Sequence, residues 1–223
     1  MLDFRLRLAA DFVRDGSRVA DIGTDHAHLP VTLVREGRCP SAIASDIRRG
    51  PAENARRNVE EAGLGDVIAV RLGDGLNTVD AAEVDDIVIA GMGGETIAAI
   101  LEAAPWVRDA HYRLILQPMT RAERLRAYLF AEGFAIDEER VTCVGGHWYT
   151  VLCVRYDGAV TKADEALCFV GRIPLPQGDG YLQTVEARLS AQQAAHPTEN
   201  GAVCLAAVRR YRNGDWRPWE ELK

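Results

Sequence analysis

The chain has 223 residues, of which 48% are hydrophobic and 26% are charged, enough for a substantial core. No run approaches 18 consecutive apolar residues, which argues against a membrane span, and the alternating residues 1–13 predict an amphipathic helix rather than a signal peptide. The net charge of −7 argues against a protein that is held on nucleic acid mainly by bulk charge.

From residue 18 to about residue 134, short apolar runs alternate with helical patterns, as in a doubly wound parallel sheet. Strands are predicted at 18–22, 41–46, 67–72, 86–90 and 113–117, and helices at 29–36, 50–62, 95–103 and 121–132. Two extended runs, 135–144 and 147–156, flank two glycines and predict a hairpin. These elements predict an α/β fold with the Rossmann-like seven-stranded sheet of methyltransferases over residues 1–157.

Residues 158–223 have a different composition and predict a small helical appendage. Prolines and glycines at 174–180 break any early helix, and two narrow apolar stripes then follow on either side of Pro197. We expect two amphipathic helices that either cover the edge of the sheet or bind a partner.

The cysteines are odd in number, widely spaced and without a C-x-x-C pair. This pattern favours free thiols in the cytoplasm over a disulfide framework or a zinc site.

Polar or glycine-rich residues follow every predicted parallel strand, whereas the strand bodies are apolar. Ligands of open α/β sheets bind outside the carboxyl ends of the strands, so five such ends in register indicate a binding site. In chain order, these ends are residues 21–26, Asp46, residues 73–75, residues 91–94 and residues 117–118.

The first loop turns on Gly23 but lacks the G-x-G-x-x-G of dinucleotide-binding proteins, which favours a ligand with a ribose and no pyrophosphate. Asp46 follows the second strand, 25 residues after Asp21, near the roughly 20-residue offset at which such folds bind ribose hydroxyls. S-adenosylmethionine fits this description best. Asp21 or Asp25 would accept hydrogen bonds from its amino group, and Asp74 from its adenine.

Residues 91–94, Gly-Met-Gly-Gly, offer mainly backbone groups at the fourth strand end. Methyltransferases that modify exocyclic amines often place Asn-Pro-Pro-Tyr or a related sequence here, so its absence favours a nucleophile that needs little activation, such as adenine N1. Tyr149 and Trp148 are candidates for stacking on a flipped base, with core packing as the alternative.

Asp25, His26 and His28 raise the alternative of a metal-dependent hydrolase, because such enzymes use H-x-H after a strand. A hydrolytic metal site needs further ligands from other strand ends, and the remaining histidines do not lie there. We therefore expect no metal.

Four blocks resemble the bacterial tRNA (adenine(22)-N1)-methyltransferases: DIGTDHAHLP at 21–30, GDGL at 73–76, IAGMGG at 89–94 and LILQP at 114–118. The similarity runs from about residue 6 to residue 154. It implies S-adenosylmethionine as methyl donor, tRNA as partner, a Rossmann-like catalytic domain and a coiled-coil-like C-terminal region that assists tRNA binding. A cofactor-binding RNA module without catalysis is a further hypothesis, and we expect a monomer or weak dimer.

Carried over to this chain, the resemblance gives three sets of site residues. The catalytic candidates are Asp25, Met92 and Gln117. The substrate-binding candidates are Gly93, Gly94, Gln117, Pro118 and Tyr149. The cofactor-binding candidates are Asp21, Gly23, Thr24, Asp25, His26, Asp46, Ile47, Gly73, Asp74, Gly75, Ala90, Gly91 and Met92.

Clustered arginines are candidates for phosphate contacts despite the acidic balance, with a solvated helix face as the alternative for each. They are Arg48, Arg49, Arg56, Arg57, Arg121, Arg124, Arg126, Arg209, Arg210 and Arg212.

Overall fold

The computed structural model describes residues 2–221 and has a seven-stranded sheet in the order β3-β2-β1-β4-β5-β7-β6. Its first five strands are parallel, and β7 lies antiparallel between β5 and β6. This sheet confirms the predicted Rossmann-like fold. The strands are β1 (Val19–Ile22), β2 (Ala42–Asp46), β3 (Ile68–Leu72), β4 (Asp86–Gly93), β5 (Arg113–Thr120), β6 (Phe134–Val144) and β7 (His147–Tyr156).

Helices cover both faces of the sheet because neighbouring residues of each central strand point to opposite sides. Val19 belongs to the buried cluster beneath α1–α3, whereas Ala20 belongs to the cluster beneath α4 and α5. These helices are α1 (Phe4–Phe12), α2 (His28–Arg35), α3 (Arg49–Glu61), α4 (Gly94–Glu102) and α5 (Ala122–Ala131).

The C-terminal region contains the two predicted helices, α7 (Asp179–Ala195) and α8 (Glu199–Asn213), which pack together. Two short helices that were not predicted flank them, α6 (Glu165–Val170) and α9 (Pro218–Glu221). Side chains of α6, α7 and α8 form a third apolar cluster, which also packs against Val141 and Trp148 of the terminal hairpin. Between residues 2 and 221, no helix is long and apolar enough to cross a membrane.

A buried ion pair joins this region to the sheet. Arg126 of α5 is only 1% exposed and donates to Glu139 of β6 at 2.6 Å, to the Cys168 carbonyl at 2.6 Å and to the Tyr181 hydroxyl at 3.3 Å. Burial lowers the pKa of Arg126, but the charge of Glu139, the Tyr181 hydroxyl and the hydrogen bonds to both together raise the pKa above its ordinary value. The prediction of a phosphate contact for Arg126 is wrong, because its guanidinium lies in the interior.

Strands β4 and β5 run three residues further than predicted. Gly91 adopts a φ of 80° and the register shifts on both sides of Met92, so β4 bulges instead of ending at Ala90. The bulge keeps β4 paired with β5 as far as Thr120. The glycine-rich segment is therefore an irregular strand end rather than a free loop.

Candidate functional site

A cavity of about 300 Å³ lies at the carboxyl ends of β1, β2, β3 and β4, where the strand order reverses between β1 and β4. The structure therefore brings together residues from four separate segments that the sequence predicted at one site. The lining residues are Ile22, Gly23, Ser45, Asp46, Ile47, Arg48, Gly73, Asp74, Gly75, Ala90, Gly91, Met92, Thr96 and Ile100.

Asp46 ends β2 and is only 4% exposed. Its Oδ1 accepts hydrogen bonds from the Arg48 backbone nitrogen at 2.7 Å and the Arg48 Nε at 3.4 Å. Among residues 2–221, no hydrogen bond reaches Oδ2. One oxygen of this carboxylate is bonded within the protein, and the other is available at the cavity. Such a carboxylate is suited to accept hydrogen bonds from ribose hydroxyls.

Ile47 follows Asp46 and is 62% exposed, although it is a large apolar residue. It shares the cavity lining with Met92 and Ile100, so apolar surface lies beside the free carboxylate oxygen. This combination fits an adenine ring joined to a ribose, as in the S-adenosylmethionine that the sequence predicted.

Gly23 makes the close approach that was expected of it. Its φ is 81°, and its backbone nitrogen donates to the Ser45 carbonyl at 2.7 Å. A Cβ on Gly23 would overlap Cε of Met92, which lines the same cavity. Any side chain at Gly23 would thus displace Met92 within the cavity.

Asp21 is buried in β1 and does not line the cavity. Burial raises the pKa of Asp21 to about 6; the Thr24 side chain opposes this rise and the Asp46 carboxylate adds to it. Asp21 pairs with Ala44 across β1 and β2, two residues before Asp46, so the Asp21 and Asp46 carboxylates belong to neighbouring strands. Thr24 itself is buried and accepts from the Ala27 nitrogen at 3.0 Å, which stabilises the turn after β1.

Asp25 and His26 are exposed neighbours, with 3.4 Å between the carboxylate Oδ2 and the ring Nε2. The His26 and His28 rings stack with their centroids 5.3 Å apart. None of the three side chains lines the cavity, so the structure does not bring them to the other predicted cofactor residues. In the described part of the chain, no three His, Cys, Asp or Glu residues are arranged to hold a metal ion.

Gln117 is fully buried, and its side-chain amide is bonded within the chain. Its Oε1 accepts from the Gly91 nitrogen at 3.1 Å and from Nη1 of Arg5 at 2.8 Å, while its Nε2 donates to the Pro118 carbonyl at 2.9 Å. A contact between Gln117 and a base edge would require these bonds to change. The observed geometry makes Gln117 a support for the bulged β4 backbone.

Arg5 of α1 is a residue that the sequence reasoning missed. Its guanidinium donates to Gln117 and to the Met119 sulfur, the latter at 3.2 Å, and lies 5.7 Å from the centre of the Tyr149 ring. It is separated from Gln117 by 112 residues, and nothing in the helical spacing of α1 indicates that contact. The alternation of charged and apolar residues indicated only an amphipathic helix.

A second cavity, of about 210 Å³, lies beside the ends of β5 and β7 and contains the predicted substrate residues Pro118 and Tyr149. Gly93 and Gly94 line neither of these two cavities. Gly94 begins α4 and packs against the Arg121 carbonyl, which a Cβ would overlap. Close packing therefore accounts for the glycine at position 94.

Comparisons with known proteins agree with this geometry. A family model described as a methyltransferase domain matches residues 2–152. The tRNA (adenine(22)-N(1))-methyltransferase of Bacillus subtilis is 43% identical over 169 residues, which are 73% of this chain and 71% of that protein.

Two solved structures are similar over nearly the whole chain. The B. subtilis m1A22 tRNA methyltransferase TrmK superposes with a TM-score of 0.70 at 32% identity, covering 96% of both chains. Streptococcus pneumoniae Sp1610, solved in complex with S-adenosyl-L-methionine, superposes with a TM-score of 0.82 at 33% identity, covering 95% of this chain and 100% of that chain. The chain belongs to the family of tRNA (adenine(22)-N(1))-methyltransferases.

Proposed function

We propose that this protein transfers a methyl group from S-adenosylmethionine to N1 of adenine 22 in tRNA. The observation that carries the proposal is the cavity at the switch point of the sheet, where the free Oδ2 of Asp46 lies beside exposed apolar surface. The related B. subtilis protein is named a tRNA (adenine(22)-N(1))-methyltransferase. The similar S. pneumoniae protein was solved in complex with S-adenosyl-L-methionine, the proposed donor.

The methyl donor supplies an electrophilic carbon on a positively charged sulfur. Adenine N1 forms the new bond to that carbon with its own lone pair, and the sulfur keeps the electrons of the bond that breaks. The protein then has mainly to align the two reactants, since alignment accounts for much of the rate enhancement in such transfers. No general base is required, because the methylated adenine leaves as a cation.

The chain offers residues for this alignment. Asp46 holds the ribose, and Gly23 permits close approach of the backbone. Met92 lines the cavity on the β4 side, where Gln117 accepts a hydrogen bond from the Gly91 nitrogen and is itself held by a hydrogen bond from Arg5. In this proposal Asp25 acts electrostatically near the sulfur, a role that requires its exposed carboxylate to turn toward the bound donor.

The hydrolase alternative lacks support, because Asp25, His26 and His28 gather no further ligands in residues 2–221. The non-catalytic RNA module is also unsupported, since the relatives named after an activity are methyltransferases. The reducing cytoplasm suits a tRNA substrate and the five free cysteines.

The test is methylation of an unmodified tRNA transcript, followed by mass spectrometry of its nucleosides. We expect N1-methyladenosine in a transcript with adenine 22 and none in a matched transcript with guanine 22. Equal methylation of both transcripts would contradict the choice of nucleotide, and absence of methylation in both would contradict the proposed function.

A further inference from the structure

The second cavity is a cleft between the catalytic sheet and the C-terminal helix α7. One wall is the end of β5 and the start of α5, from Pro118 to Glu123, and the other wall is α7 from Tyr181 to Arg188. Residues 148–150 of β7 form the floor. Met92 of the methyl-transfer cavity pairs with Pro118 of the cleft across β4 and β5, so the two cavities lie on neighbouring strands.

Two aromatic rings lie in this cleft. Trp148 packs against α7 so closely that a Cβ on Gly180 would overlap its ring. Tyr149 lies next to it and has Arg5 over its ring. Successive side chains of a strand point to opposite faces, so Trp148 lies on the α7 side of β7 and Tyr149 on the α1 side. Both residues are partly exposed and line the cavity, and the Trp148 ring has surface available on the side of α7 for stacking with a nucleobase.

Of the two arginines that line the cleft, only Arg188 forms an ion pair within residues 2–221. Arg188 pairs with Glu123 at 3.0 Å, which neutralises the carboxylate of the lining. Arg121 is exposed, and no ion pair involves it in the part of the chain that the structure describes. One guanidinium therefore remains available for an anionic group in the cavity that Trp148 lines.

Arg121 also has an unusual backbone. It adopts φ 58° and ψ 39°, the left-handed region that disfavours residues with a side chain. Its carbonyl packs against Gly94, which fixes this conformation at the start of α5. A glycine would suit this backbone better, and among residues 2–221 no hydrogen bond or ion pair of the Arg121 side chain stabilises the fold.

We infer that this cleft binds the nucleotide next to the methylated adenosine, with its base on Trp148 and its phosphate at Arg121. The inference rests on the proposed function and extends it by assigning a second RNA-binding subsite. A stacking ring beside an uncompensated cation is a combination that binds single-stranded RNA, and Pro118 of the cleft is paired with Met92 of the methyl-transfer cavity.

Arg121→Gly tests this assignment without endangering the fold, because glycine favours the observed backbone conformation. We expect tRNA affinity to fall about tenfold, as for loss of a hydrogen bond to a charged group. The slope of log affinity against log salt should decrease by about 1. S-adenosylmethionine affinity should stay within about twofold, and Tm should stay equal or rise. Trp148→Ala should also weaken tRNA binding, by about fivefold or more.

Arg35→Ala is the matched control. Arg35 is exposed in the last turn of α2, away from the carboxyl ends of the parallel strands where the two cavities lie. It should leave tRNA affinity and salt dependence unchanged. If Arg121→Gly binds tRNA with wild-type affinity and salt slope while the wild-type protein methylates tRNA, the cleft assignment is overturned. Failure of the wild-type protein to methylate tRNA would instead overturn the proposed function.

Discussion

Asp46 and Asp21 are both buried carboxylates, but they have different hydrogen-bond partners. Asp46 has one oxygen bonded to Arg48 and one oxygen without a partner in residues 2–221. Asp21 lies deeper in the sheet and has a pKa raised to about 6 by burial. Substitutions of Asp46 and of Asp21 should therefore have different effects.

Replacement of Asp46 by alanine should weaken S-adenosylmethionine binding by about 100-fold, because two charged hydrogen bonds of roughly 1.5 kcal/mol each are lost. Isothermal calorimetry measures this directly. Asp15→Ala, which removes an exposed carboxylate elsewhere, should leave the affinity unchanged. Near-normal affinity in the Asp46 variant would remove the ribose assignment.

Asp21 should make both stability and cofactor binding depend on pH. Its folded pKa of about 6 exceeds the ordinary value, so the folded protein holds the proton more tightly and its free energy of unfolding falls as pH rises from about 4 to 6. Binding of the positively charged donor should strengthen from about pH 5 to 7, as Asp21 ionises in the folded protein, because only ionised Asp21 attracts the donor. Chemical denaturation and calorimetry at pH 4.5 and 7 measure both trends, and Asp21→Asn should flatten them. A pH-independent affinity in the wild type would contradict the role of Asp21.

At the element scale, the β1–α2 turn and the β4 bulge meet at the contact between Gly23 and Met92. This contact was partly predictable. A single glycine after an apolar run indicated close backbone approach, whereas the partner residue, in a strand that was expected to end at Ala90, was not indicated by any local pattern. Bulges arise from pairing between strands, so their position cannot be inferred from one strand alone.

Gly23→Ala should push the Met92 side chain into the cavity and weaken cofactor binding by about tenfold. Gly63→Ala is a matched control, because Gly63 has a φ of 70° but an added Cβ there would meet no other atom within 4 Å. Both variants should lose about 1 kcal/mol of stability, and only the first should lose cofactor affinity. The double variant Gly23→Ala/Met92→Ala should recover part of that affinity; no recovery would contradict the steric explanation.

At the scale of the whole molecule, the Arg126–Glu139 pair fixes the C-terminal helices to the sheet. The chain order of strands and helices, and Asp46 at a strand end, followed from the sequence because apolar runs and their breaks are local features. The burial of Arg126 was missed, although its position two residues after Arg124 places it on a different face of α5. Its partner Glu139 lies 13 residues away in another element, so no local pattern indicated the ion pair. The contacts of Arg5 were missed for the same reason.

Arg126→Met should destabilise the protein by about 3–5 kcal/mol, because it leaves Glu139 charged and buried without its partner. The double variant Arg126→Met/Glu139→Leu should recover much of this loss. Arg49→Met, which breaks an exposed pair with Glu53, should cost less than about 1 kcal/mol. Urea denaturation gives all three values. A small effect of Arg126→Met would show that the C-terminal helices dock by apolar contacts alone.

The central claim is that the carboxyl ends of β1, β2 and β4 bind the methyl donor. A crystal structure of the protein grown with S-adenosylmethionine tests it most directly. We expect the ribose hydroxyls to lie within hydrogen-bond distance of Asp46 and the adenine to lie against Ile47, with Arg48 still bonded to Oδ1 of Asp46. Donor density outside this cavity, or a ribose that leaves Oδ2 without a partner, would contradict it.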